Sequence, residues 1–529
     1  MTKKQLTLIT SLTTAILILG LLISQRMWFR LDLTANRIYT ISRVSRRLHT
    51  EISEQVQITY YVSDKLSSMN PMPGQIIDLL RVYASYSRGK IRVSVRDPVK
   101  AGMASIIEEL GIQPHQMEDP SGASVSLVYT GIIIEYLDET DVLPVVFSLD
   151  TLEYDLTSRI RALVRGIKRE VGVIIGNTEK QWSQDYQHLQ QILYMTGYNA
   201  IYITQGEEIP ASLPALFVFG GAEDLDEWAL YRIDHYIQNG GKVLFAAEAV
   251  SVNSQGQGEP RVIMDKGLLS MISFYGATIK PALVLDRANL NLSLQTPTSF
   301  GIPMVERVRY PLWINILEDN GNRNITLTAN FNGLDLFWAN PIELNPPESI
   351  NAETLFTTSS EAWLMTRDFN IDPRASAYLF EREAPDTRGT KIMGAALTGI
   401  FPSYFEGLPK PTREWSFADL PDMPLEPKET RIIVIGNTEF ASNAFNFVGG
   451  IRNFNFLVSV ADWLGNDDDI VAIRTRQGQH RLDRIVDDKK REQAIIFAQL
   501  VNVVFVPLTV IGVGIFVTLR RRIKAKSAV

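Results

Sequence analysis

The sequence predicts an α/β protein in which two successive α/β units lie between two membrane-spanning helices. Three observations predict it. Short β-branched runs alternate with helical patterns along most of the 529 residues. Some runs, such as residues 171–175, are apolar throughout, as strands are when a parallel sheet buries both their faces. Residues 6–23 and 494–519 are long apolar stretches, and at about 1.5 Å rise per residue the second crosses a hydrocarbon core of about 30 Å with length left for tilt.

The first stretch follows Lys3 and Lys4. It is longer than the apolar core of a cleaved signal peptide, about 7 to 15 residues, and Leu22-Ile23-Ser24-Gln25-Arg26 lacks the small-residue cleavage pattern. Residues 1–26 are therefore expected to remain as an N-terminal anchor. The last stretch is closed by Arg520, Arg521, Arg522, Lys524 and Lys526, so that 494–529 reads as a C-terminal transmembrane helix with a basic tail. Two spans put both termini on one side. Large domains cross the membrane largely regardless of flanking charge, so the expected topology has cytoplasmic ends and an extracytoplasmic body on the inner (cytoplasmic) membrane. Gln499, Asn502 and Thr509 share one face of the last helix, and Thr7, Thr10 and Thr14 one face of the first. In lipid such groups need partners, so these stripes are expected to meet each other or the helices of a membrane partner. Pro507 predicts a kink.

The first unit covers 27–167. Ser42 reads as the N-cap of a helix running through Val44, Leu48 and Ile52. Strands are expected at 56–62 and 90–96 and helices at 74–87 and 101–110. Strands at 124–136 and 142–148 would form a hairpin around Asp138-Glu139, before a helix from Leu152. This βαβαββα order is that of a thioredoxin-like domain. Having no cysteine, it would serve as a scaffold without redox chemistry.

The second unit covers 168–285 and 431–475 and reads as a doubly wound α/β domain. Its strands are expected at 171–175, 200–203, 215–219, 242–247, 282–285, 431–435 and 470–473. Its helices are expected at 182–196, 226–238, 268–275 and 454–464, with Gly240-Gly241 and Gly276 as stops. Between its two parts, 286–430 is rich in Asn, Pro and Thr and reads as an irregular, partly β insertion. Residues 476–493 form a charged juxtamembrane helix.

Composition narrows the chemistry. Apolar residues are 45% and charged residues 21%, as in folded globular proteins. The net charge is −7 although both termini are purely basic, so the body between them is more acidic still. That argues against nucleic-acid binding, which relies on Lys and Arg against phosphate. With no cysteine, disulfides, thiolate-bound metals and thiol catalysis are excluded. No G-x-x-x-x-G-K-[ST] loop is present, so the chain is not expected to hydrolyse ATP itself, and neither a dinucleotide fingerprint nor a G-x-S-x-G elbow follows a strand. His49, His115, His188, His235 and His480 are scattered singly, without metal-site spacing. No metal and no cofactor is expected.

One internal echo remains. Ile174-Ile175-Gly176-Asn177-Thr178-Glu179 recurs as Val434-Ile435-Gly436-Asn437-Thr438-Glu439, each at the end of an apolar strand. Ligands of open α/β sheets bind beyond the carboxyl ends of strands, which suggests a ligand crevice lined by Asn177, Glu179, Asn437 and Glu439. The competing reading is that Gly and Asn only make the turn out of the strand. Two functions follow. One is a non-catalytic subunit or stand-alone binding protein. The other is an envelope-polymer hydrolase using carboxylates such as Glu179 and Glu439, which would need to stand about 5 to 9.5 Å apart.

Several segments carry a family resemblance. Asp32-Leu33-Thr34, Tyr39-Thr40-Ile41-Ser42 and Leu152-Glu153-Tyr154-Asp155-Leu156-Thr157-Ser158 resemble auxiliary proteins of gliding-motility-type ABC transporters, the GldG family. So do Ile233-Asp234-His235-Tyr236-Ile237-Gln238-Asn239-Gly240-Gly241-Lys242, Thr357-Thr358-Ser359-Ser360 and Ala461-Asp462-Trp463-Leu464-Gly465. The resemblance implies a membrane-anchored, extracytoplasmic component working beside a separate permease and a separate ATPase, on an unidentified solute or envelope polymer. It also implies that the second unit is similar to the domain of class I glutamine amidotransferases, whose cysteine nucleophile is absent here.

Overall fold

The computed structural model describes residues 40–118, 125–147, 149, 151–252, 260–297, 303–329, 331–381, 385–413, 419–444, 450–465, 470, 471 and 473. The stretches 6–23 and 494–519, with Thr7, Thr10, Thr14, Gln499, Asn502 and Thr509, lie outside these residues, as does the expected helix 476–493. Among the described residues no helix is long and apolar enough to cross a membrane. The protein is mixed α/β with several sheets.

The N-terminal part runs α1 (Arg43–Glu51), β1 (Val56–Val62), α2 (Asp64–Met69), α3 (Met72–Ser85), β2 (Ile91–Arg96), α4 (Ala104–Glu109), β3 (His115–Glu118), β4 (Val125–Val128), β5 (Thr130–Tyr136), β6 (Glu139–Leu143) and α5 (Leu152–Arg165). Ser42 caps α1, its hydroxyl accepting from Ser45 N at 3.1 Å. The main sheet has the order β2-β1-β5-β6, with β1 parallel to β2 and antiparallel to β5. Its core includes Ile58, Tyr60, Leu80, Ile132 and Leu156, and burying each such side chain is worth about 1.5–3 kcal/mol.

Two expectations shift here. The long strand expected at 124–136 divides at Tyr129, because Ser63 takes both of that residue's backbone groups: Ser63 N donates to Tyr129 O, and Tyr129 N donates to Ser63 Oγ. As a result β4 pairs with β3 in a separate small sheet, and only β5 joins the main one. The hairpin partner begins at Glu139 rather than 142, since Leu137 takes the left-handed conformation (φ 54°) that turns the chain.

The remainder of the fold is built on a nine-stranded sheet. It begins with β7 (Glu170–Ile175), α6 (Trp182–Asp185), α7 (Gln187–Met195), β8 (Asn199–Tyr202), β9 (Leu216–Phe219), α8 (Glu227–Gln238) and β10 (Val243–Ala246). There follow β11 (Val250–Ser251), β12 (Arg261–Val262), α9 (Leu268–Phe274), β13 (Ala277–Ile279), β14 (Leu283–Leu285), β15 (Asn289–Pro297), β16 (Pro303–Ile316) and β17 (Leu334–Phe337). Last come β18 (Ile342–Leu344), β19 (Ile350–Thr357), β20 (Trp363–Met365), α10 (Ser376–Glu381), β21 (Ile392–Ile400), β22 (Glu429–Ile435) and α11 (Ile451–Leu464).

Strands β8, β7, β9, β10 and β22 lie side by side and parallel. One face of this block packs on α7 and α11 through Val173, Phe217, Leu244 and Ile433, the other on α8 and α9 through Ile174, Val218, Phe245 and Val434. Burial on both faces is why the runs 171–175, 216–219, 243–246 and 432–435 are apolar throughout, whereas the edge strand β8 is partly exposed.

The stretch 286–430 is partly β, yet it does not stand outside this sheet: β21 pairs antiparallel with β22, and β18 and β19 pair with β21. The helix expected at 182–196 breaks at Tyr186, whose backbone leaves helical geometry and whose ring stacks on Phe219 at 5.4 Å. The strand expected at 470–473 is instead helical at Ile470, Val471 and Ile473. Ile470 and Ile473, one helical turn apart, pack with Val44 around Tyr154. A short apolar run does not by itself distinguish strand from helix; here the neighbouring surface decides.

Candidate functional site

The chain passes from β7 outward to β8 and then returns to β9 on the other side of β7, so the strand order reverses between β7 and β9. Ligands of open α/β sheets bind beyond the carboxyl ends at such a point, so the crevice expected from the sequence falls here. Its walls are the loops that follow β7, β9, β10 and β22. Gly176 makes the close approach possible, since a methyl group there would fall 2.4 Å from the Cα of Gly221. Gly436 is under the same constraint, a methyl group there falling 2.0 Å from the carbonyl oxygen of Asn340.

The two copies of the echo take different roles. Asn177 Oδ1 accepts from Glu179 N at 2.8 Å, which turns the chain, and Glu179 itself is exposed. Asn437 is buried; its Oδ1 accepts from Phe440 N at 2.9 Å and its amide donates to Phe337 O. Both asparagines thus shape their loops. Glu439 is buried, and there the loops meet: its carboxylate pairs with Lys180, the residue directly after the first echo, and accepts from Ser442 Oγ at 2.7 Å.

Besides Lys180, two further side chains stand here, and the sequence reading singled out none of the three. Glu248, two residues past β10, accepts from Thr438 Oγ1 at 2.5 Å. Burial, reinforced by the charges of Glu439 and Glu223 and only partly offset by Thr438 and Lys180, pushes its carboxyl up to about 7. Tyr186 is buried near them, and burial followed by the charges of Glu439, Glu248 and Asp185 pushes its phenol well above the ordinary range. The available signal was positional: Lys180 adjoins an echo, and Glu248 occupies the strand-end position corresponding to the echoes. What the sequence does not display is that the loops after β10 and β22 are neighbours.

The crevice thus offers one carboxylate held by an ammonium group, a second carboxyl that exchanges its proton near neutrality, and a threonine hydroxyl. Among the described residues no group of three or more acidic or histidine side chains is placed to hold a metal ion.

Comparison with known proteins places this sheet in a family. The family of auxiliary components of ABC-type uncharacterized transport systems matches residues 168–467, more than half of the chain and both echo loops. This chain belongs to that family. As an auxiliary transport component it implies partner transporter subunits. A second family, described as a domain of unknown function (DUF7088), matches residues 35–135, which contain β1 to β4 and all but the last residue of β5. An uncharacterized protein of Borreliella burgdorferi is 24% identical to this transport component over 504 residues, 93% of this chain and 94% of its own length. Among solved structures, an exo-beta-1,4-mannosidase from Opitutaceae bacterium strain TAV5 aligns at 10% identity and a TM-score of 0.23 over 74% of this chain and 49% of the enzyme. The chain spans about half the length of that enzyme, and at this score the likeness says nothing about fold or activity.

Proposed function

We propose that this chain is a membrane-anchored, extracytoplasmic and non-catalytic auxiliary subunit of a gliding-motility-type ABC transporter, working with a separate permease and a separate ATPase. The observation that carries the auxiliary-subunit part of this reading is the family match over 168–467, which spans the entire parallel block together with both strand-end loops. On this reading the N-terminal unit is a thioredoxin-like scaffold, and the larger one an amidotransferase-like sheet without its cysteine. The crevice around Lys180, Glu248 and Glu439 binds a polar solute or a segment of envelope polymer. The stretches 6–23 and 494–519 supply the two spans, and their polar stripes meet the permease. A non-catalytic role is consistent with Asn177 and Asn437 being committed to their own loops and with Glu179 being exposed while Glu439 is buried.

The test is a mild-detergent pull-down of the tagged full-length protein beside a Gln499→Leu, Asn502→Leu variant, with co-purifying chains identified by mass spectrometry. Recovery of a permease and an ATPase, reduced in the variant, is the expected result. Recovery of the protein alone from several detergents would overturn the subunit reading.

A further inference from the structure

Two helices, α7 and α11, pack on each other and connect the same two places. At one end of both is the crevice. Tyr186, which immediately precedes α7, is near enough to feel the charges of Glu439 and Glu248, and His188 in its first turn holds the loop after β22, its backbone N donating to Asn443 Oδ1 at 3.2 Å. On α11, Asn453 donates from its amide to Phe440 O at 3.1 Å, one residue beyond Glu439. The pair is joined side to side by the stacked rings of His188 and Phe454.

The other end of both is the junction with the N-terminal unit. Thr196 O and Met195 O, at the end of α7, accept from Arg169 Nη1 at 2.9 Å and from Arg159 Nη2 at 2.7 Å. Asp462, near the end of α11, accepts from Tyr154 Oη at 2.5 Å, Tyr198 Oη at 2.6 Å and Arg169 Nη2 at 3.1 Å. Tyr154 and Arg159 belong to α5, whose Glu153 accepts from Ser42 N at 2.7 Å and Ser45 Oγ at 2.6 Å. The segments that carried the family resemblance, around Ser42, Tyr154 and Asp462, therefore converge in space on one buried joint.

From Asn453 to Asp462 the α-helical rise amounts to about 13 Å. A helix does not compress over that length, and neither end is released cheaply, because a buried charge stripped of its partner is strongly destabilised. A displacement imposed at one end is therefore delivered to the other.

We infer that the crevice is mechanically coupled to the joint: displacement of Lys180 from Glu439 by a bound ligand moves α7 and α11 and reorients the N-terminal unit against the large sheet. This rests on the reading of the crevice as a binding site. Its consequence for a transport component is that occupancy of the crevice is reported to the unit nearest the start of the described chain.

The chain has no cysteine, so introduced labels are unique. The experiment places spin labels at Arg92→Cys and Ser212→Cys, both exposed, in the full-length protein and measures the inter-label distance by double electron–electron resonance. Lys180→Met is the perturbation, and Ser442→Ala, which removes the hydroxyl that donates to Glu439 and accepts from Ala444 N but leaves the Lys180 pair in place, is the milder second variant should the first fold poorly. The expected result is a shift of about 1–2 Å or more, or a second population, that disappears when Tyr154→Phe is added. A distance distribution unmoved by either crevice variant, or moved equally with and without Tyr154→Phe, overturns the coupling. A shift that depends on Tyr154, in a protein that captures no ligand or transporter partner, sustains the coupling and counts against the binding reading alone.

Discussion

Tyr154 and Asp462, 308 positions apart in the chain, share a 2.5 Å hydrogen bond in a fully buried setting. The bond ties α5 to the end of α11, and Arg169 closes the arrangement by donating to both residues while its guanidinium lies 4.2 Å over the ring of Tyr198. A charge held this way is costly to strand.

Asp462→Leu removes the carboxylate and leaves Arg169 buried without its counter-charge, at a cost on the order of 3–5 kcal/mol. Tyr154→Phe removes one donor and is expected to cost about 1–3 kcal/mol. Denaturant unfolding of the three proteins should rank them accordingly. Equal losses would show that packing, and not charge compensation, dominates at this joint.

Opposite pH trends are expected from Glu248 and His49. The Glu248 carboxyl is raised from 4.5 to about 7, so between those values the folded protein binds the extra proton and this group's stabilisation is lost as pH rises. His49, 4.6 Å from the Tyr83 ring in edge-on contact, is lowered from 6.5 to about 4 because burial outweighs its contact with the Tyr86 backbone. There the unfolded chain binds the extra proton, so stability is lost as pH falls from 6.5 to 4. Thermal melts across pH 4 to 8 should show Glu248→Gln gaining on the parent toward alkaline pH and His49→Phe gaining toward acid. Parallel curves for variant and parent would contradict the assigned burial.

Two glycines are expected to respond to alanine with opposite signs, Gly436 in a strand-end loop and Gly74 in a helix of the N-terminal unit. Gly436→Ala brings a methyl group 2.0 Å from the Asn340 carbonyl oxygen and must move backbone, costing about 1–3 kcal/mol. Gly74 lies in α3 with nothing within 4 Å of an added methyl, so Gly74→Ala is expected to stabilise by about 0.5–1 kcal/mol. Melting temperatures of both variants are the readout, and a neutral Gly436→Ala would mean that the strand-end loops are not packed this closely.

Much of the architecture was legible because it is local. The alternation of strand and helix, the Ser42 cap and the wholly apolar runs at 171–175 and 432–435 each follow from the periodicity and chemistry of a few adjacent residues. The less legible parts are pairings across long separations. Nothing near residues 392–400 states that this run lies against β22, so 286–430 reads as an insertion until the register Ala395↔Val434 is seen. The run 470–473 is too short for its own pattern to choose a helix; the surface of Tyr154 chooses it.

The sequence alone determined the absence of thiol chemistry, the acidic body, the long apolar stretches near both ends and the repeated Gly-Asn-Thr-Glu at two strand ends. Tertiary structure alone decided how the two copies of that repeat differ. It buried Glu439 while leaving Glu179 exposed, set Lys180 between the loops and brought Glu248 and Tyr186 to the same place. The physical reason is that the character of a carboxylate depends on its desolvation and on the charges beside it, and in this fold both come from strands far apart in the chain and adjacent in the sheet.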